Sequence, residues 1–357
     1  MRRVSGLAAA VIAFALSGCV PLGNAAVSPA DAAVSLRPDA MRDLLDYARS
    51  QKTTGFVVVR GGTTLIEENW PAPGDPTFAI FRYGLTDSGA LFEDVASQQK
   101  SFIAVLMAVA ADKSLIDVDR PVSDYIGAGW SKAAPEQERR IRVIHILQMN
   151  SGLDEKFAYV APTGSKFFYN TPVYAVSKRI LVAASKLSLE QLTRDWLTGP
   201  AGMAETDWRQ RPAALAGVGN NTGLVTSPRD TARFGQMILN GGVAPNGKRI
   251  VSAANLAALF VPSPSNSAYG RLWWLNGGED GVQVDGRRRD ERLIPAAPVD
   301  LVAAFGFLDR RLYIVPSLDL VVVRTGADAP DADFDQQLWL RLARVVGGDP
   351  IAPQDTP

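Results

Sequence analysis

The chain has 357 residues, 47% of them apolar, with Gly and Pro scattered along it, which is the profile of a large globular protein with a substantial core. Disordered and fibrous architectures are excluded. Lys+Arg and Asp+Glu both number 37, the formal net charge is zero and no long run of either sign occurs, so nucleic acid is not an expected partner.

At the N-terminus Arg2 and Arg3 precede a short apolar stretch, Leu7 to Leu16, and Ser17-Gly18-Cys19 follow at once. About ten apolar residues are too few to span a bilayer, so residues 1–18 read as an export signal. Leu16-Ser17-Gly18-Cys19 resembles the lipobox of bacterial lipoproteins, in which the cysteine is lipidated and becomes the first residue; a soluble secreted protein cleaved nearby is the alternative. Cys19 is the only cysteine, so it has no partner for an intramolecular disulfide, and a free thiol is a liability in an oxidising compartment unless modified. The expected location is the bacterial cell envelope, facing the periplasm, with the membrane as partner through lipidated Cys19. Val20 to Arg37, rich in Ala, Pro and Ser, then reads as a flexible tether.

Pro38 to Ser50 has helical spacing, with Met41, Leu44, Leu45 and Tyr47 apolar between charges. Gly55 to Arg60 is a β-branched run, Gly61-Gly62 a turn signal and Thr63 to Glu68 the returning strand of a hairpin. Ala96 to Ala111 predicts a long apolar helix with little charge, hence buried. Further helices are expected near Arg142 to Gln148, Pro172 to Lys186, Leu189 to Trp196 and Pro228 to Asn240. Arg311 to Pro316 and Leu318 to Arg324 read as two strands joined by a tight turn, and Gln336 to Val346 as a closing helix. Strands at both chain ends around a mostly helical middle predict one α+β domain over residues 38–346, with an antiparallel sheet built from both ends, flanked by helices, and a helical subdomain inserted. Residues 347–357 are left as a C-terminal tail.

There is one histidine, and the chain has no G-x-S-x-G, H-E-x-x-H or P-loop motif and no cysteine cluster. Against that background Ser97 is the only serine with a lysine three positions later. Residues three apart on a helix share a face, so Lys100 can place its amine beside the Ser97 hydroxyl. A serine needs a base to become a nucleophile, and a desolvated lysine can supply one. By itself S-x-x-K is a weak signal, since a helical lysine is most often merely solvated.

From about Pro38 to about Ala343 the chain resembles the serine β-lactamase and penicillin-binding-protein superfamily. The nearest branch is the class C-like one, with D-alanyl-D-alanine carboxypeptidases, esterases and 6-aminohexanoate-dimer hydrolases. The resemblance is carried by Glu93-Asp94-Val95-Ala96-Ser97-Gln98-Gln99-Lys100-Ser101-Phe102, by Leu115 to Tyr125, by Ile141 to Leu153 and by Thr222 to Gly235. It implies a β-lactamase/transpeptidase-like fold, with Ser97 as nucleophile and Lys100 as its partner. His145 then falls in a structural helix, its imidazole holding nearby backbone, with a catalytic base as the alternative.

The second family motif, Y-x-N, falls in Lys166 to Tyr174. Tyr169 takes the place of the general base or proton shuttle, its pKa lowered by Lys100, and Thr171 stands where Asn is usual; an alternative register uses Asn170 itself. The third motif falls in Ala303 to Pro316. There the resemblance implies that Phe305 and Gly306 line the substrate, Gly306 keeping the site open, and that the Phe307 N–H joins the Ser97 N–H in an oxyanion hole. Ala304 lacks the cation that binds a carboxylate in relatives, and Asp309 and Arg310 replace the common Gly-Gln, which puts β-lactam binding in doubt. Trp273 and Trp274 are expected as core or pocket wall.

The leading expectation is acyl transfer through a Ser97 acyl-enzyme on a small-molecule amide, ester or peptide-like substrate, with no metal and no cofactor implied. The rival is a catalytically silent envelope binding or sensor protein on the same fold, motivated by the altered second and third motifs.

Overall fold

The structure, a computed structural model, describes residues 38–347. The expected export signal, Cys19, the tether and the tail from residue 348 lie outside these residues.

The first helix, α1 (Pro38–Ser50), leads into β1 (Thr53–Arg60) and β2 (Thr63–Asn69), the expected hairpin. Two short strands follow, β3 (Arg82–Leu85) and β4 (Leu91–Asp94). A turn of 3₁₀-helix over Ala96–Gln98 then runs into α2 (Gln99–Asp112). Next come α3 (Thr171–Ser185), β5 (Thr206–Gln210), β6 (Thr222–Thr226) and α4 (Pro228–Leu239). The remaining strands are β7 (Trp274–Leu275), β8 (Gly281–Val282), β9 (Arg288–Arg289), β10 (Val302–Gly306), β11 (Arg310–Val315) and β12 (Leu320–Gly326). Helix α5 (Phe334–Val346) closes the domain.

The main sheet is antiparallel with order β2-β1-β12-β11-β10-β7, so the first and last long strands are neighbours at its centre, with Val58 opposite Val322. Both strands are buried along nearly their whole length, which is why their sequences read as continuous apolar runs without alternation. On one face α1 and α5 meet through Tyr47 and Phe334, whose rings stack at 6.2 Å. On the other, α4 lies so close to the sheet at Gly235 that a Cβ there would come within 2.6 Å of Val321. Helix α2 sits beyond α4, with Phe102 stacked on Phe234 at 3.8 Å between centroids, and it is buried from Gln99 to Ala110.

The middle of the chain is less helical than expected. A second antiparallel sheet, β3-β4-β6-β5, is formed there. Its strands are four or five residues long, too short to display a period-two pattern. Its contribution to the site is positional: β4 ends at Asp94, three residues before Ser97.

His145 takes the structural role. Its Nδ1 accepts the Arg142 N–H at 3.0 Å at the start of the helix Val143–Leu147, and burial lowers its pKa to about 4. The unfolded chain takes up this proton near the ordinary value of 6.5, whereas the folded chain resists it down to about 4. Stability therefore falls as pH drops through that window. His145→Asn, which keeps an acceptor but cannot titrate, is expected to lose less between pH 6.5 and 4.5 than the parent when urea midpoints are compared; equal losses would remove His145 from the account.

Candidate functional site

Ser97 is presented by a tightly held turn. Ala96, just before it, has φ +51°, a left-handed conformation costly for a residue with a Cβ. The Asp94 carboxylate holds it there by accepting the Ala96 N–H at 2.8 Å, and the same carboxylate takes a bidentate pair from buried Arg211 at 2.7 and 2.8 Å. Gln99 donates to the Ala96 carbonyl, Gln98 to the Ala304 carbonyl on β10, and Ser101 to the Leu272 carbonyl. The Ser97 position is thus fixed from the second sheet, the main sheet and the loop before β7.

Lys100 Nζ donates to Ser97 Oγ at 2.8 Å. The lysine is buried, its ammonium flanked by the rings of Tyr169 and Tyr174 at 4.8 and 4.9 Å. Burial first, and the Arg211 guanidinium second, lower its pKa to about 7, so a large share of the amine is free at neutral pH.

Tyr169 is brought to the same point, its hydroxyl hydrogen-bonded to Ser97 and its ring stacked on Trp274 at 5.9 Å. The expectation that Lys100 lowers its pKa is not met. Burial pushes Tyr169 up to about 12, and the opposing influence is the Ser97 hydrogen bond. Tyr169 is therefore a neutral phenol, suited to donating a proton and poorly suited to acting as a base.

Asn170 and Thr171 lie in different surroundings. Asn170 caps α3 by accepting the Val173 N–H at 3.1 Å and donates to the Leu153 carbonyl at 3.0 Å, so both ends of its amide are engaged and it does not line a site. Thr171 lies beside Ser97 in the hollows described below. Phe305 stacks on Trp274 at 6.0 Å and lines an adjoining hollow with Gln283, Val284 and Asp285. Gly306 has a different reason from the one expected. A Cβ there would sit 2.3 Å from the Val95 carbonyl, so the glycine serves a backbone contact rather than open space for substrate.

Phe307 is exposed and shares a hollow with Ser97. Its turn uses Leu308 and Asp309 at φ +61° and +53°, as a tight hairpin with two left-handed residues requires. The two departures from the family pattern support this turn: Arg310, fully buried, bonds the Phe307 carbonyl at 2.9 Å and Glu93 at 2.8 Å, while Asp309 pairs with Arg311 at 2.7 Å. Trp273 is core and Trp274 backs Tyr169, as expected.

Lys178 was not singled out from the sequence. It donates to Gln99 Oε1, Asn220 Oδ1 and the Thr222 carbonyl, each at 2.8 Å, and burial pushes its pKa well below the usual lysine range. The one available signal was a lysine four residues after Tyr174, on the buried face of α3.

Two hollows meet at Ser97. The smaller, about 400 Å³, holds Lys100, Arg211 and Phe307; the larger, about 930 Å³, holds Tyr169, Glu155 and Asp285. Ser97, Thr171 and Val218 line both. Among the described residues no group of three or more His, Cys, Asp or Glu is arranged to hold a metal ion.

Comparison with known proteins gives a consistent result. The family model described as Beta-lactamase matches residues 51–340. A curated relative, 6-aminohexanoate-dimer hydrolase from Paenarthrobacter ureafaciens, is 26% identical over 370 residues, covering 87% of this chain and 84% of that protein. A Beta-lactamase/D-alanine Carboxypeptidase from Yersinia pestis superposes with TM-score 0.62 at 16% identity, over 87% of this chain and 98% of that one. A family VIII carboxylesterase does so with TM-score 0.60 at 15% identity, over 87% and 96%. Both structural likenesses are likenesses of fold.

Proposed function

The chain belongs to the beta-lactamase family of hydrolases, and on that premise we propose that it is a serine hydrolase working through a Ser97 acyl-enzyme. The observation that carries the proposal is the 2.8 Å contact between Ser97 Oγ and a buried lysine whose pKa lies near 7. Lys100 as free amine takes the Ser97 proton while Oγ adds to the substrate carbonyl. The Ser97 and Phe307 N–H groups receive the developing oxyanion. Tyr169 donates its phenolic proton to the leaving oxygen or nitrogen and recovers one from the Lys100 ammonium. Water, deprotonated by Lys100, then adds to the acyl ester; collapse expels Ser97 Oγ, which takes the proton back from the Lys100 ammonium, and releases the acid.

Esters, amides and β-lactams all suit this sequence of steps. Ala304 is buried and uncharged, and the guanidinium beside the site, Arg211, is engaged by Asp94, so a substrate carboxylate has no evident partner at that point. The lipidation reading of Cys19 stands on sequence and puts the enzyme at an envelope membrane.

A fluorophosphonate probe tests the proposal. Intact-mass spectrometry is expected to find one adduct on the parent protein, none on Ser97→Ala and slow labelling of Lys100→Met. A parent protein that takes no adduct would favour the silent binding protein instead, the reading that the Thr171 substitution invites.

A further inference from the structure

Building on the reading of Ser97 as nucleophile, we infer that its substrates are neutral esters or amides with an apolar acyl chain of medium length, lodged in the smaller hollow while the leaving group projects into the larger one. The two hollows meet at Ser97, with Thr171 and Val218 forming the ridge between them. A carbonyl carbon attacked by Ser97 Oγ therefore has one substituent on each side of that ridge.

Which substituent goes where follows from the proton donor. The leaving atom must face the group that protonates it. Tyr169 lines the larger hollow and not the smaller. The leaving group then occupies the larger side, among Glu155, Lys156, Gln283 and Asp285, where charged or polar groups are accommodated. The acyl chain takes the smaller side.

The smaller hollow is walled by Ile80, Phe81, Ala214, Leu215, Val218 and Phe307. Its charged members are engaged already: Lys100 Nζ donates to Ser97 Oγ, which it serves in catalysis. Arg211 is bonded to Asp94 and to the Asn220 carbonyl, and the Asn220 side-chain oxygen accepts from Lys178. A charged acyl group would lose its water there without gaining a partner, whereas each methylene buried against these walls improves binding.

Nitrophenyl acetate, butyrate and hexanoate measure this directly. For the parent protein kcat/KM is expected to rise about fourfold per added methylene. Leu215→Trp, which fills the smaller hollow, is expected to flatten the series, so that hexanoate loses its advantage over acetate. Ala214→Trp, at an exposed position on the same wall, gives the same readout should the Leu215 variant fold poorly. Gln283→Trp, in the larger hollow, should leave the slope unchanged. Ester hydrolysis with a flat or falling series, or a slope removed by Gln283→Trp in place of Leu215→Trp, overturns the inference alone. No ester hydrolysis together with no phosphonate adduct overturns the reading beneath it and the inference with it.

Discussion

Lys100→Met is expected to lower kcat/KM for an ester by about a thousandfold while leaving the protein folded. Methionine has nearly the length of lysine and suits a side chain that is only 2% exposed, so the change removes the base without opening a cavity. Lys100→Arg should be as inactive, because a guanidinium stays charged and cannot accept the Ser97 proton. The parent profile follows from the same group. Below pH 7 the amine is protonated and unable to act, so kcat/KM should fall roughly tenfold per pH unit on the acid side and level off above about 7. Methionine at this position within tenfold of the parent, or a profile with no inflection near 7, would remove Lys100 from its role.

Arg211→Met should be strongly destabilising, by about 3–5 kcal/mol in urea unfolding. Its partner Asp94 is fully buried, and without the guanidinium its charge is left uncompensated against low-dielectric surroundings. The exposed pair Arg209–Asp207, a few residues away on β5, is the control; its loss should cost under about 1 kcal/mol. Replacing Asp94 and Arg211 together by apolar residues should recover only part of the loss, because Asp94 also anchors the Ala96 N–H beneath Ser97. Full recovery would mean that the strained turn holds itself.

The features legible in the sequence are those determined by neighbours along the chain. Ser97 and Lys100 meet because three residues of helix put them on one face, and the β1–β2 hairpin is announced by Gly61-Gly62 between two β-branched runs. What stayed hidden depends on distant partners. Lys178 meets Gln99 across 79 residues and Arg211 meets Asp94 across 117, and no local pattern marks either meeting. Asn170 and Thr171 are adjacent, so only the start of α3 could decide which of them faces the site. The sign of the Tyr169 shift follows burial, opposed by the Ser97 hydrogen bond, and burial depends on the whole fold rather than on neighbours along the chain.

The pairing of β1 with β12 also bears on how the protein is made. Thr54 and Thr325, which touch across these strands, are 271 residues apart. At about 5–20 residues per second, a ribosome that has finished the first hairpin needs roughly a quarter of a minute to a minute to deliver its partner. During that interval Phe56, Val57, Val58 and Val59 have only β2 beside them and one strand edge open, so the pace of translation sets how early the native core can close.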